Sequence, residues 1–193
     1  MKILAIQNRM GIGDTVIFLP FIKALYKKFN SPISLLVKES SKADQYLFQT
    51  NYIDKILILE RDRNNKNRHT GLLGSFNLIN DLKKYNFEKI FIFNSSLRFN
   101  LIARFSNIPE IYQYPLFNKN KQHITDTPKK FLKDKLDINV NEDPDIQIND
   151  DLISEAIKKF QIDKDELNIL MGIGGSGPTK RIPSRVFLEV IDK

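Results

Sequence analysis

Short apolar runs alternate along this chain with segments whose apolar positions recur every three or four residues. The runs Lys2–Gln7, Ile33–Val37, Lys55–Leu59, Lys89–Phe93 and Asn168–Ile173 are rich in Ile, Leu, Val or Phe and predict strands. Helical spacing appears near Thr15–Phe29, Ser41–Phe48, Leu72–Tyr85 and Leu97–Phe105, and again near Thr125–Leu136. Strands that are apolar throughout bury both faces, so this alternation predicts an α/β fold with a parallel sheet covered by helices on each side. Pro20 falls inside the first helical pattern and is expected to break or kink it.

The pattern divides the chain. Residues 1–137 form one doubly wound unit. From 138 to 150 the sequence is polar and acidic, contains Pro144 and loses helical periodicity, so it predicts a linker. At Asp151 the pattern restarts with a helix to about Gln161, then a strand, a glycine turn and a helix opening near Pro183. Residues 151–193 are thus expected to be the incomplete start of a second unit of the same type. The acceptable readings are a piece of a longer protein or a short protein without catalysis.

Composition narrows the chemistry. The 193 residues include no cysteine, which excludes disulfides, thiolate catalysis and cysteine-based zinc sites. His69 and His123 are the only histidines and neither has a metal-ligand spacing, so no metal is expected. The longest apolar run, Val16 to Ile22, contains Pro20 and is too short to span a membrane. The N-terminus lacks the form of a secretory signal, which predicts a cytoplasmic protein that can still touch a membrane surface. The formal net charge of +7 is compatible with an anionic partner, yet it accompanies a general excess of lysine, asparagine and isoleucine. No zinc finger, RNA-recognition motif or basic zipper supports nucleic acid, so none is expected as a partner. The segment Glu60–Thr70, with Arg61, Arg63, Lys66 and Arg68, reads either as a solvated loop or as a binding loop.

Two strand-to-glycine turns carry the candidate sites. In the first, Gly11 and Gly13 precede an apolar helix, but Val16 stands where a dinucleotide fingerprint needs its third glycine. Asp14 would repel a phosphate there. It is either a helix N-cap or a carboxylate that takes a proton from a substrate hydroxyl. In the second turn, Gly174, Gly175 and Gly177 allow close approach to an anion, Ser176 and Thr179 offer hydroxyls, and Lys180 supplies charge. It lacks the P-loop spacing, and the alternative is a tight connection with an exposed lysine.

Three blocks of residues resemble family 9 glycosyltransferases, the ADP-heptose:lipopolysaccharide heptosyltransferase group. The first is Ile3–Ile6 with Gly13-Asp14-Thr15-Val16 through Pro20 and Lys23-Ala24-Leu25. The second runs from Tyr85 to Ile90 and through Ser96-Leu97-Arg98, Leu101–Arg104 and Asn107-Ile108-Pro109. The third is Gly172–Ser176 with Thr179-Lys180-Arg181-Ile182-Pro183. The resemblance implies a GT-B-type architecture, with the acceptor on the first domain and the nucleotide-sugar on the second. It implies inverting, metal-independent transfer of a sugar, heptose by analogy, from ADP-heptose to a lipopolysaccharide-type acceptor, without a cofactor. It places Asp14 as general base, Ser176, Lys180 and Gly175 at the donor diphosphate, and Arg98 on the acceptor side. It also implies peripheral contact with the inner face of the cytoplasmic membrane. The alternative is a non-catalytic module that binds a glycan or an anion.

Overall fold

The structure, a computed structural model, describes residues 1–9, 11–61, 67–116, 123–163, 165–172 and 181–191. In chain order its elements are β1 (Ile3–Ile6), α1 (Ile12–Phe29), β2 (Ile33–Lys38), α2 (Ala43–Tyr46), β3 (Ile53–Leu59), α3 (Gly71–Lys83), β4 (Lys89–Ile92), α4 (Leu97–Phe105), β5 (Glu110–Gln113), α5 (Asp126–Leu136), α6 (Asp150–Phe160) and α7 (Ser184–Ile191). A short 3₁₀ turn at Glu39–Ser41 precedes α2. The chain divides into two units, Met1–Ile148 and Asn149–Lys193.

The first unit is built on a five-stranded sheet in the order β3-β2-β1-β4-β5, with every neighbouring pair parallel. The central strand aligns Ile3 with Ile33 on one side and Lys89 on the other. Alternation of side chains across the pleat sends Ile3 and Ala5 to one face and Leu4 and Ile6 to the other. Each face has its own core. Ile3, Ala5, Leu35 and Phe91 pack with Phe18, Phe21, Ile22 and Leu25 of α1 and Phe131 and Leu132 of α5. Leu4, Ile6, Leu36 and Ile90 pack with Leu78 and Leu82 of α3 and Phe99 and Ile102 of α4. Burial of both faces explains why these strands read as continuous apolar runs. The expected doubly wound α/β fold is present.

Four features differ from the sequence reading. First, β5 was not expected, because an edge strand of four residues carrying Glu110 and Gln113 has no apolar run to betray it; Phe91 stacks on its Tyr112 at 4.7 Å between centroids. Second, α1 runs unbroken through Pro20 to Phe29. The proline lacks the N–H that would bond the Val16 carbonyl, but it is buried on a helix whose Phe18, Leu19, Phe21 and Ile22 pack into the core, and that packing sustains the helix. Third, α1 begins at Ile12, so Gly13 and Asp14 lie within its first turn. Fourth, residues 168–172 form no strand. Among the described residues of that unit there is no second strand to supply a hydrogen-bonded ladder.

The polar stretch expected as a linker is laid along the first unit. Val140 is buried, and Ile138 and Ile146 pack against the α1 core. The Tyr52 hydroxyl donates to the Asp145 carbonyl at 2.8 Å, and the Asn51 N–H donates to Gln147 Oε1 at 2.7 Å. Lys23 pairs with Asp145, and Lys27 with Glu142. Burial first, and then the charges of Asp145 and Glu142, push the Tyr52 hydroxyl up to about 12. Glu142 and Asp145, two of the acidic residues of the stretch expected as a linker, are the partners of basic side chains on α1.

In the second unit α6 is capped by Asn149, whose side chain accepts from the Leu152 N–H at 3.0 Å. Both α6 and α7 are amphipathic, with Ile153, Phe160, Leu188 and Val190 exposed.

Candidate active site

Parallel strands end along one edge, and the loops that follow them are the natural place for chemistry. From β1 the chain winds outward through β2 and β3, then returns to the other side of β1 for β4 and β5. Connections from β1 and β4 therefore diverge and leave a crevice at their carboxyl ends. Gln7 through Asp14 leave one side of that crevice, and Asn94 through Arg98 leave the other. Asp14 and Arg98, 84 positions apart in sequence, thus lie in the first turns of the helices that follow two adjacent parallel strands.

The β1–α1 turn is ordered by a residue that sequence reasoning did not single out. Gln7 is buried; its N–H donates to the Leu36 carbonyl at 3.1 Å and its Oε1 accepts from the Arg9 N–H at 2.8 Å. Its Nε2 donates to the Asp14 carbonyl at 3.3 Å, tying the strand end to the first turn of α1. A polar residue ending an apolar strand was the only signal available. Gly11 is the N-cap, in extended conformation, and the Thr15 N–H donates to its carbonyl at 3.2 Å. Asp14 is consequently the third residue of the helix and not its N-cap. Its Oδ2 reaches back to accept from the Gly11 N–H at 3.2 Å. Gly11 is the donor to this half-buried carboxylate among the described residues, which leaves Oδ1 available at the crevice. The positive end of the helix favours a negative charge there.

Neither glycine of this turn is demanded by the protein. Gly11 has φ −110°. A Cβ at Gly11 would come no closer than 3.4 Å to Asp14 Oδ2, and one at Gly13 would meet nothing within 4 Å. Space is left around the carboxylate.

Arg98 is held from the other direction. Its Nε donates to Ser75 Oγ at 2.8 Å and its Nη2 to the His69 carbonyl at 2.6 Å. Its Nη1 is buried and has no hydrogen-bond partner among the described residues. Burial, and after it the like charge of Arg61, lowers the Arg98 guanidinium from its ordinary value. The two arginines line the same groove.

Behind Arg98 stands a brace that the sequence reading did not find. His69 is buried, and its Nδ1 accepts from the Glu60 N–H at 3.1 Å. That contact leaves the ring proton on Nε2, which donates to Asp81 Oδ2 at 3.2 Å. The His69 N–H donates to the Glu60 carbonyl at 3.0 Å, so the base of the Glu60–Thr70 loop is closed by a pair of bonds. Asp81 also accepts two bonds from Arg68, at 2.7 and 2.9 Å, and one from Lys84 at 2.9 Å. Burial works against its charge, but the bonds from Lys84, Arg68 and His69 outweigh it and hold the carboxyl at about 2. Gly74 packs against this corner so closely that a Cβ would lie 2.2 Å from the His69 carbonyl carbon. The sequence signals were a lone histidine and a glycine inside a helical pattern, neither of which points to its partner.

The donor-side residues Gly175, Ser176 and Lys180 lie outside the described residues. Their neighbours Gly172 and Arg181 are described.

These observations define a doubly wound α/β fold on a parallel five-stranded sheet, and that fold matches glycosyltransferases of GT-B type over part of their length. No protein-family model matches the chain, and no curated protein matches it. Several solved structures are similar. A glycosyl transferase family 9 protein from Veillonella parvula aligns with TM-score 0.73 and 18% identity over 99% of this chain and 58% of its own. The E. coli ADP-heptose lps heptosyltransferase II aligns with TM-score 0.67 and 16% identity over 100% of this chain and 62% of its own. E. coli heptosyltransferase WaaC, solved with ADP-2-deoxy-2-fluoro heptose, gives 0.65 and 12% over 100% and 65%. The chain spans less than two thirds of the length of each neighbour, and the likeness is one of fold.

Proposed function

We propose that this chain acts as a glycosyltransferase of family 9 with the acceptor on its first unit, and that Asp14 is the general base. The observation that carries the reading is the Asp14 carboxylate. It is fixed by one backbone donor in the first turn of α1, keeps an oxygen free, and stands at the crevice where a doubly wound sheet binds its ligands. The fold likeness to heptosyltransferases supports a nucleotide-sugar donor, ADP-heptose by analogy, and a lipopolysaccharide-type acceptor.

In this reading an acceptor hydroxyl attacks the anomeric carbon of the donor while Asp14 takes its proton. The bond from that carbon to the nucleoside diphosphate breaks, the configuration inverts, and the sugar passes through an oxocarbenium-like state. Lys180, Ser176 and the backbone around Gly175 stabilise charge growing on the departing diphosphate. Arg98 binds an anionic or hydroxyl-rich part of the acceptor beside the base. Loss of a positioned base lowers such rates by roughly 10²–10⁴-fold.

The test is release of nucleoside diphosphate from nucleotide-sugars in the presence of acceptor glycans, compared between the protein and Asp14→Asn. The expected result is acceptor-dependent release that Asp14→Asn loses by that factor. Undiminished transfer in the variant would refute the assignment of the base. Acceptor binding by calorimetry without any transfer would favour the non-catalytic module.

A further inference from the structure

A guanidinium has a lateral hydrogen-bonding edge, made by Nε and one terminal nitrogen, and an end edge, made by the two terminal nitrogens. Arg68 uses its lateral edge in full, with Nε and Nη2 donating to the two carboxylate oxygens of Asp81. In Arg98 the protein's own oxygens occupy that edge. Nε donates to Ser75 Oγ at 2.8 Å, and Nη2 to the His69 carbonyl at 2.6 Å. No acid takes part. The end edge stays open: Nη1 is buried and has no hydrogen-bond partner among the described residues. An unpaired donor shut away from water is costly until an acceptor reaches it.

Ser75 sets which edge is spent. It is half-buried on α3, one turn after Gly71, and its Oγ donates to the Gly71 carbonyl at 3.1 Å. A serine hydroxyl has a single proton, so with that proton on Gly71 the oxygen can only accept from Arg98. Two fixed acceptors on one edge define the plane of the guanidinium and the direction of its other edge. Arg98 lines a groove of about 690 Å³ to which Arg61 and Lys83 contribute, and no carboxylate does among the described residues. Two N–H bonds side by side on one cation match the two oxygens of a carboxylate or a phosphate.

We propose that Ser75 is a positioning residue: by occupying Nε it turns the Arg98 guanidinium so that its Nη1–Nη2 edge receives an oxyanion, a carboxylate or phosphate, of the acceptor. This rests on the placement of Arg98 on the acceptor side and names the chemical group that Arg98 binds. The test is nitrogen NMR of the arginine side chains in the isotope-labelled whole chain, in Ser75→Ala and in Ser75→Thr. The Arg98 signals are those missing from Arg98→Lys. Inorganic phosphate and acetate are the probes, and the tighter of the two tells phosphate from carboxylate. In the protein and in Ser75→Thr, which keeps a hydroxyl, the Arg98 Nε–H should exchange slowly with water and the two terminal nitrogens should be distinct, because rotation of the guanidinium is hindered. The probe should shift those terminal signals. In Ser75→Ala the two terminal signals should merge and the affinity should fall roughly tenfold, the scale of one hydrogen bond to a charged group, with circular dichroism unchanged. Free rotation of Arg98 in the unaltered protein, no shift with either probe, or equal affinity in Ser75→Ala would overturn the proposal. So would a loss in Ser75→Thr as large as in Ser75→Ala. The spectra require no turnover, so normal transfer by Asp14→Asn would remove the base and leave this result standing.

Discussion

Two strand-to-helix junctions leave the same edge of the sheet and are built on opposite principles. At the β1–α1 junction the Asp14 carboxylate has one backbone donor and a free oxygen among the described residues, with open space around Gly13. At the β3–α3 junction Asp81 accepts four bonds, both nitrogens of His69 are engaged, and Gly74 has no room for a methyl group. A saturated polar cluster is held by its own partners and has nothing left for a substrate. An unsaturated one at a crevice is where a ligand completes the bonding. The proposed chemistry rests on the unsaturated character of the first junction, while the bonds of the second hold the edge, and Arg98, in shape.

Gly74→Ala should break the second junction most severely. The new Cβ would overlap main-chain carbon of His69, forcing α3 away from the loop base at a cost of about 3 kcal/mol. Urea unfolding of the variant measures this, and a loss within error of zero would show that the corner is looser than its geometry implies.

Asp81→Ala should destabilise the protein by about 2 kcal/mol, mainly because the buried His69 Nε2–H loses its acceptor. The exposed Arg68 and Lys84 pairs add little. Protonation imitates that substitution. The folded carboxyl, at about 2, lies below its ordinary 3.8. Its contribution is complete above about pH 4 and disappears as pH falls toward about 2. Unfolding curves of the protein and the variant, separate near neutral pH, should converge across that window.

Gly13→Ala, at the first junction, should have the smallest effect and the opposite sign. A helical position with free space around it gains about 0.5–1 kcal/mol when glycine becomes alanine. Destabilisation here would mean that the turn is as tightly filled as its counterpart.

The legibility of the two junctions in the sequence follows the same division. Gly11, Gly13 and Asp14 sit close together after an apolar strand, so local spacing exposed them as a candidate site. Its detail was not legible, since Gly11 in extended conformation caps the helix and shifts Asp14 to the third position. The brace depends on His69, Asp81, Gly74 and Arg98, drawn from a loop and two helices, and only tertiary packing connects them. The strands β1, β2 and β4 were legible because burial of both faces makes them nearly continuously apolar, and the edge strand β3 because its second half, Ile56–Leu59, is apolar. The edge strand β5 was not, because its polar ends pair with side chains such as Asn100 and Lys89. The packing of the stretch expected as a linker, residues 138–150, was not legible for a related reason: its acids Glu142 and Asp145 are answered by lysines more than a hundred residues earlier.

The most direct test is turnover and thermal unfolding measured side by side for Asp14→Asn and Asp81→Ala. Asp14→Asn should lose roughly 10²–10⁴-fold in acceptor-dependent release of nucleoside diphosphate, while its stability changes by less than about 1 kcal/mol. Asp81→Ala should show the reverse, a lowered melting temperature with turnover preserved in the folded fraction. An Asp14→Asn protein that transfers sugar normally, or that is lost to unfolding instead of to chemistry, would contradict the assignment of the β1–α1 carboxylate to catalysis.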